Sequence, residues 1–236
     1  MGPGIQIYNN SGGLQITDTF KNLQFVRKGS VTIPNNWLRP YTSIQFSPGE
    51  LVAFRIESAS KDDYCSIRSG SSDGLVTFTG YPGKTLEYYA FSYKKIPTGN
   101  YFEVRNLLGE VVFSDAAHFM KVLDAKRGTT LVDYHNQGIV GNTIHDPNKK
   151  TAVLLGARCW NLTVDYMETD PGSYVYWNFH TWRGLVFRFY GDHVESETIE
   201  EFSDRTESYG WPTVSYQNIR FRKYDYLVLD VTDIKE

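Results

Sequence analysis

The densest run of groups able to do acid–base work is GDHVESETIEEFSDRTES, residues 191–208. Two carboxylates flanking a glycosidic bond can act as acid and base, or as acid and nucleophile, and Glu195 and Glu200 are the pair this segment offers. The same oxygens can gather Ca²⁺, but the ligand order of an EF-hand loop is missing. Carboxylate runs are more often solvated faces. His118, His135, His145, His180 and His193 have no spacing that holds a metal ion. There is no G-x-S-x-G elbow for a serine nucleophile. SGSSDG, residues 69–74, has no lysine to serve a phosphate and reads as a hairpin tip. Cys65 and Cys159 stand far apart without close partners, which fits small buried apolar side chains and neither a disulfide framework nor a zinc module. No cofactor is implied.

A second kind of chemistry belongs to SYVYWNFHTWRG, residues 173–184. As a strand it sets Tyr174, Tyr176, Asn178 and His180 on one face and Val175, Trp177 and Phe179 on the other. Trp182 and Arg183 follow. Flat rings beside hydrogen-bonding groups suit a sugar face or a partner protein. Trp211, in the loop-like YGWPT, adds an exposed aromatic. The candidate contact set is therefore Tyr174, Tyr176, His180, Trp182, Arg183 and Trp211. The alternative is a strand buried between two sheets with its tyrosines at the edge.

The elements that would position these groups are strands. Short apolar runs punctuated by Gly, Pro and Asn recur along all 236 residues, and aromatic content reaches 15%. The expected class is all-β: two tandem β-sandwich-like domains, 1–98 and 99–236, the second with longer loops. KKIPTGN, residues 94–100, marks the boundary, and HNQGIVGNTIHDPNKK, residues 135–150, reads as a long loop. The best helix candidate is ESETIEEF, residues 195–202.

The division rests on a repeat. IQIYNNSGGLQITD, from Ile5, lies without a gap over FEVRNLLGEVVFSD, from Phe102, at an offset of 97. Asn9/Asn106, Gly12/Gly109 and Asp18/Asp115 are identical. Ile5/Phe102, Ile7/Val104, Leu14/Val111 and Ile16/Phe113 keep apolar side chains at the spacing of one strand face. Asn-x-x-Gly between the arms fits a type I turn, so one hairpin is expected twice. The phase continues through Leu23/Met120 and Phe25/Val122.

Net charge is −3 and no basic block occurs, so the electrostatic footprint of nucleic-acid binding is missing. No apolar run reaches membrane-spanning length. The opening MGPGIQIYNN has neither a basic region leading into an apolar stretch nor a myristoylation signal, so no secretory leader is expected.

GIQIYNNSGGLQITD and NLQFVRKGSVTI, followed later by LEYYAFSY and YFEVRNLLGEVVFSDAAHFMKVLD, resemble small β-rich virion proteins of tailed bacteriophages. The likeness covers residues 4–31 and 85–124; the remainder matches nothing, and Ala116–Ala117–His118 stands where a polar or basic residue is usual. The resemblance implies a non-enzymatic structural part of the tail tip or tail fibre. Such a part would be made in the host cytoplasm, join other tail proteins or copies of itself, and meet a host-surface glycan or protein. It carries over no catalytic residues. The other readings are a lectin-like carbohydrate-binding module, with residues 173–184 as platform, and a glycoside hydrolase or depolymerase using the acidic segment.

Overall fold

The computed structural model describes residues 6–8, 14–17, 23–36, 40–56, 60, 62–70, 74–93, 96–97, 99, 101–130, 138–168, 175–209 and 217–234. At 6–8, 14–17, 69–70, 138, 161–168, 175–180, 201–209 and 217–221 the description is of the backbone. Among the described residues every regular element is a strand, as the short apolar runs require. The first half of the chain supplies β1 (Gln6–Tyr8), β2 (Leu14–Thr17), β3 (Gln24–Thr32), β4 (Tyr41–Gln45), β5 (Leu51–Ile56), β6 (Cys65–Gly70), β7 (Leu75–Gly80) and β8 (Thr85–Ser92). The second supplies β9 (Glu103–Arg105), β10 (Val111–Ser114), β11 (Lys121–Thr129), β12 (Gly138–Ile144), β13 (Thr151–Ala157), β14 (Trp160–Glu168), β15 (Val175–Tyr190), β16 (His193–Tyr209), β17 (Gln217–Phe221) and β18 (Lys223–Asp230).

Two hairpins stand apart, β1–β2 and β9–β10, and two antiparallel sheets make the body. One sheet runs β11-β18-β13-β5-β8-β3, and the other runs β12-β16-β15-β6-β7-β4 with β14 and β17 beside β15. Both orders are palindromes of the two halves: β3-β8-β5 answers β11-β18-β13, and β4-β7-β6 answers β12-β16-β15. The boundary expected at 98/99 thus separates two sets of strands along the chain, while in space both sets share both sheets.

The registers show that the repeat is structural. In the first hairpin Gln6 pairs with Thr17, Ile7 with Ile16 and Tyr8 with Leu14. In the second, Glu103 pairs with Ser114, Val104 with Phe113 and Arg105 with Val111, so an offset of 97 maps one pattern onto the other with its register slip. The strand that follows obeys the same offset. β3 slips against β8 between Phe25 and Arg27, and β11 slips against β18 between Val122 and Asp124. At the centre β13 meets β5 through Val153↔Phe54 and Leu154↔Ala53. Leu51↔Phe91 in one half corresponds to Ala152↔Leu229 in the other, which makes Ala53 and Leu154 equivalents facing each other on a pseudo-twofold axis.

The six-stranded sheet is covered on both faces, so β5, β13 and β18 carry continuous apolar runs in place of alternation. Phe54, Leu86, Ala90, Val153 and Val228 face the other sheet and join Phe78, Leu185 and Phe187 in the main core. Ala53, Tyr89, Phe91, Leu154 and Leu229 form a second core on the opposite face. That face is covered because the sheet's two edges meet. Gln24 bridges Phe119, Phe25 N donates to His118 O at 2.7 Å, and Met120 N donates to Leu23 O at 2.9 Å.

Two expectations are corrected. Residues 195–202 are strand, inside β16, because Val194, Ser196 and Thr198 alternate into the core while β12 and β15 take up the backbone on either side. The loop expected over 135–150 contains β12, an edge strand whose two glycines and Asn142 give it the composition of a loop.

Candidate functional site

β15 and β16 run longer than β6 and β7, their counterparts in the first half. Along the lower part of β15, β14 pairs Glu168↔Tyr176 through Trp160↔Gly184, and β17 adds to β14. Above Gly184 the same edge of β15 turns to β6, pairing Phe187 with Cys65. The second half therefore carries a four-stranded extension, β16-β15-β14-β17, with no counterpart among the described residues of the first half. Residues 175–184 of the aromatic segment lie in it.

At the base of the extension four side chains stand in a row. Trp160 faces Gly184, which has no side chain, and leans onto its diagonal neighbour Trp182 with ring centroids 5.7 Å apart and planes 29° apart. The Arg68 guanidinium lies 4.9 Å from the Trp182 ring centroid and 4.9 Å from that of Tyr41. Arg68 reaches this position because it is the extra residue of a β-bulge: Ile67 pairs with Phe78 and Ser69 with Thr77, so the residue between them is turned out of the alternation.

Beside the row opens a cleft of about 480 Å³, lined by Glu50, Leu51, Ile67, Arg68, Arg158 and Trp160 among others. A second bulge, at Gly156 on β13, forms part of its wall. A Cβ there would displace the Asp225 carboxylate, which packs against the glycine. Arg158 Nε donates to Leu185 O at 3.0 Å, and its Nη2 is shut off from solvent. Burial, assisted by the charge of Arg68, lowers the Arg158 pKa to about 9, with Cys159 pulling the other way. Burial also lowers Arg68. Glu50, the acid in the wall, is held through Oε2, which accepts from Arg27 Nη2 at 3.1 Å and from Ser47 N at 3.0 Å.

The pseudo-twofold axis relates this cleft to another at the opposite end of the β5·β13 seam. That second cleft, about 400 Å³, is lined by Arg55, His145, Lys149, Lys150, Tyr190 and His193 among others. Its cations are matched by acids of the same sheet: Lys150 and Arg55 hold Glu87 at 2.7 and 3.4 Å, and Lys149 holds Asp230 at 3.4 Å.

Of the expected contact residues, Trp182 lies in the aromatic row. Tyr176 and His180 are placed by backbone on the same strand and at the same alternation as Trp182. Tyr174 and Trp211 lie outside the described residues. Arg183 is a correction: it is 6% exposed, and Nη2 bonds Glu200 Oε2 at 2.9 Å, so it braces β15 to β16 and is withdrawn from the surface. Sequence reasoning missed Arg68, Arg158, Trp160 and Tyr41. Trp160, directly after a cysteine that proves buried, was the one visible hint; the bulge that aims Arg68 leaves no mark in local composition.

Glu195 and Glu200, the pair offered by the acidic segment, do not converge. Glu195 and Glu200 are five residues apart on one strand, hence on opposite faces and about 16 Å apart along it. Glycosidase carboxyl groups sit roughly 5–9.5 Å apart. Glu195 is 7% exposed and accepts from Tyr190 OH at 2.9 Å. Among the described residues no three His, Cys, Asp or Glu side chains are grouped to hold a metal ion. Cys65 and Cys159 are free and buried. Burial pushes both thiols up, Cys159 to about 11. No helix among the described residues is long and apolar enough to cross a membrane.

Compared with known proteins, the chain matches no protein-family model, no curated protein and no solved structure.

Proposed function

We propose that this chain is a non-enzymatic structural protein of a tailed-phage virion, built into the tail tip or a tail fibre and taking part in host-surface attachment. The observation that carries the reading is the doubled hairpin. The resemblance to phage virion proteins rests on that motif occurring twice, and the two copies keep one register, slip included, together with the strands that follow them. The second hairpin also offers something to dock. Leu107 and Leu108 at its tip are 87% and 84% exposed, and Tyr101 at its base is 96% exposed. Apolar side chains held out on a rigid turn suit insertion into a neighbouring protein, another tail component or a second copy.

Mass spectrometry of gradient-purified virions from the phage or prophage that encodes the chain tests this. The protein is expected in stoichiometric amounts in intact particles and in isolated tails. Its absence from particles that adsorb normally would overturn the reading. A carbohydrate-binding module is the second reading, favoured by the Trp160–Trp182 pair beside an open cleft.

A further inference from the structure

We infer that β12 is a self-association edge: it pairs antiparallel with β12 of a second copy about a twofold axis, running the two eight-stranded sheets into one. The inference goes beyond the virion reading, because association is a property of the free chain. Three observations carry it.

The first is a contrast between edges. A strand edge offers unpaired N–H and C=O groups, and proteins that stay apart defend it with charge, lysine above all. The six-stranded sheet does so. Its edge strands carry Arg27 and Lys28 in β3, and Lys121, Asp124, Lys126 and Arg127 in β11. β12, GIVGNTI, closes the other sheet with neither a charge nor a proline, and among the described residues nothing pairs with its outer side. β4, at the far end of that sheet, is also neutral, but it is shorter and exposes Ser43 and Gln45. β12 instead exposes two isoleucines, Ile139 and Ile144, at 66% and 69%.

The second is that the edge is held ready. Thr143 Oγ1 donates to Asp124 Oδ2 at 2.7 Å, and Val140 packs on the main core. His145 N donates to Asp192 O at 2.8 Å, which continues the ladder to β16. By alternation Asn142 and Ile144 turn their N–H and C=O groups outward. A strand already fixed by its neighbours loses little entropy when a partner adds to it.

The third selects a second copy as the partner. The molecule already joins its two repeated halves in this manner, since β5 and β13, equivalents across the pseudo-twofold axis, meet antiparallel. A neutral strand is compatible with itself. The carboxylates beside it are compensated: Glu197 Oε2 accepts from Arg188 Nε at 2.7 Å and Glu195 Oε2 from Tyr190 OH at 2.9 Å. Two identical edges therefore meet without like-charge repulsion, and a closed twofold contact needs only this one surface.

Sedimentation equilibrium of the full chain over a concentration series, with amide exchange at both ends of the series, tests the inference. A monomer–dimer equilibrium is expected, with the Asn142 and Ile144 amides exchanging at least tenfold more slowly in the dimer. Ile144→Lys should weaken the dimer tenfold or more, whereas Ile144→Val and Ser43→Lys should leave it unchanged. Asn142→Cys should be joined to its counterpart by a short bis-maleimide while the buried Cys65 and Cys159 stay silent, which reads the contact even where Ile144→Lys does not fold. A chain that stays monomeric up to about 1 mM would overturn the inference. So would a dimer indifferent to Ile144→Lys, association that leaves the two amides unprotected, or growth beyond the dimer that Ser43→Lys abolishes. A dimer formed by a chain absent from virions defeats the virion reading alone; a monomer built into virions defeats this inference alone.

Discussion

Arg183 shows how one side chain can look like a contact and serve as a brace. In the sequence it follows an aromatic run and suggests recognition. In the fold its face of β15 continues into Leu185 and Phe187, both fully buried, and Glu200 receives its charge. Arg183→Gln should therefore lower the melting temperature while leaving self-association unchanged, which thermal denaturation and sedimentation on the same sample will check. The two cysteines behave as the sequence suggests, because a lone Cys in an apolar run has little else to do. With both thiols buried and pushed up, neither should react with a thiol reagent at pH 8 until the protein is unfolded; intact-mass labelling reads this directly. The carboxylates set the acid limit. Burial works against the ionised forms of Glu87, Asp124 and Asp230, yet the bonds from Lys150, from Lys126 and Thr143, and from Thr232 and Lys149 outweigh it, so all three pKa values are lowered. A lowered folded-state pKa means stabilisation that is complete above the unfolded value, about 4. It drains away as pH falls through the folded values. The urea midpoint should hold steady from pH 7 to 5 and fall as the pH drops below about 4. Lys126 and Thr232 stand two residues from the acids they hold, but Lys150–Glu87, Thr143–Asp124 and Lys149–Asp230 join residues distant in sequence and were not legible beforehand.

At the scale of elements, the hairpin was the most readable part because its chemistry is local. Asn106 Oδ1 accepts from Leu108 N at 3.0 Å and Glu110 N at 2.9 Å, Gly109 N donates to Asn106 O at 2.9 Å, and Gly109 takes φ +77°. Asn and Gly are the residues such a turn asks for. Asn106→Ala should cost about 1 kcal/mol locally and speed exchange of the Leu108 and Glu110 amides, with the sheets unaffected. β16 was unreadable for the opposite reason. Its glutamates are good helix formers, and only the partners on either side, β12 and β15, decide against helix. The bulges at Arg68 and Gly156 are likewise made by register between strands, so the cleft they line could not be anticipated from either segment alone. The aromatic strand was found, but its most telling partner, Trp160, comes from β14 and meets it only through sheet pairing.

For the whole molecule, the decisive feature is that the halves interlock. Phe54 of the first half packs against Phe187 of the second with centroids 5.8 Å apart, and Phe187 against Tyr226 at 4.9 Å. Phe54→Ala should cost about 3–5 kcal/mol in a single cooperative transition, measured by chemical denaturation. Cleavage between Tyr93 and Tyr101 should leave two fragments that co-elute on size exclusion, because β5·β13 and β6·β15 hold them together. The repeat in the sequence pointed to this duplication; that the copies would merge could not be read from it, since long-range pairing leaves no local trace. The two foldback tabs have a further consequence. At the offset of 97 the exposed Leu107 and Leu108 of the second align with Asn10 and Ser11 of the first, so the duplication has left one polypeptide with two foldbacks of the same register and unlike surface chemistry.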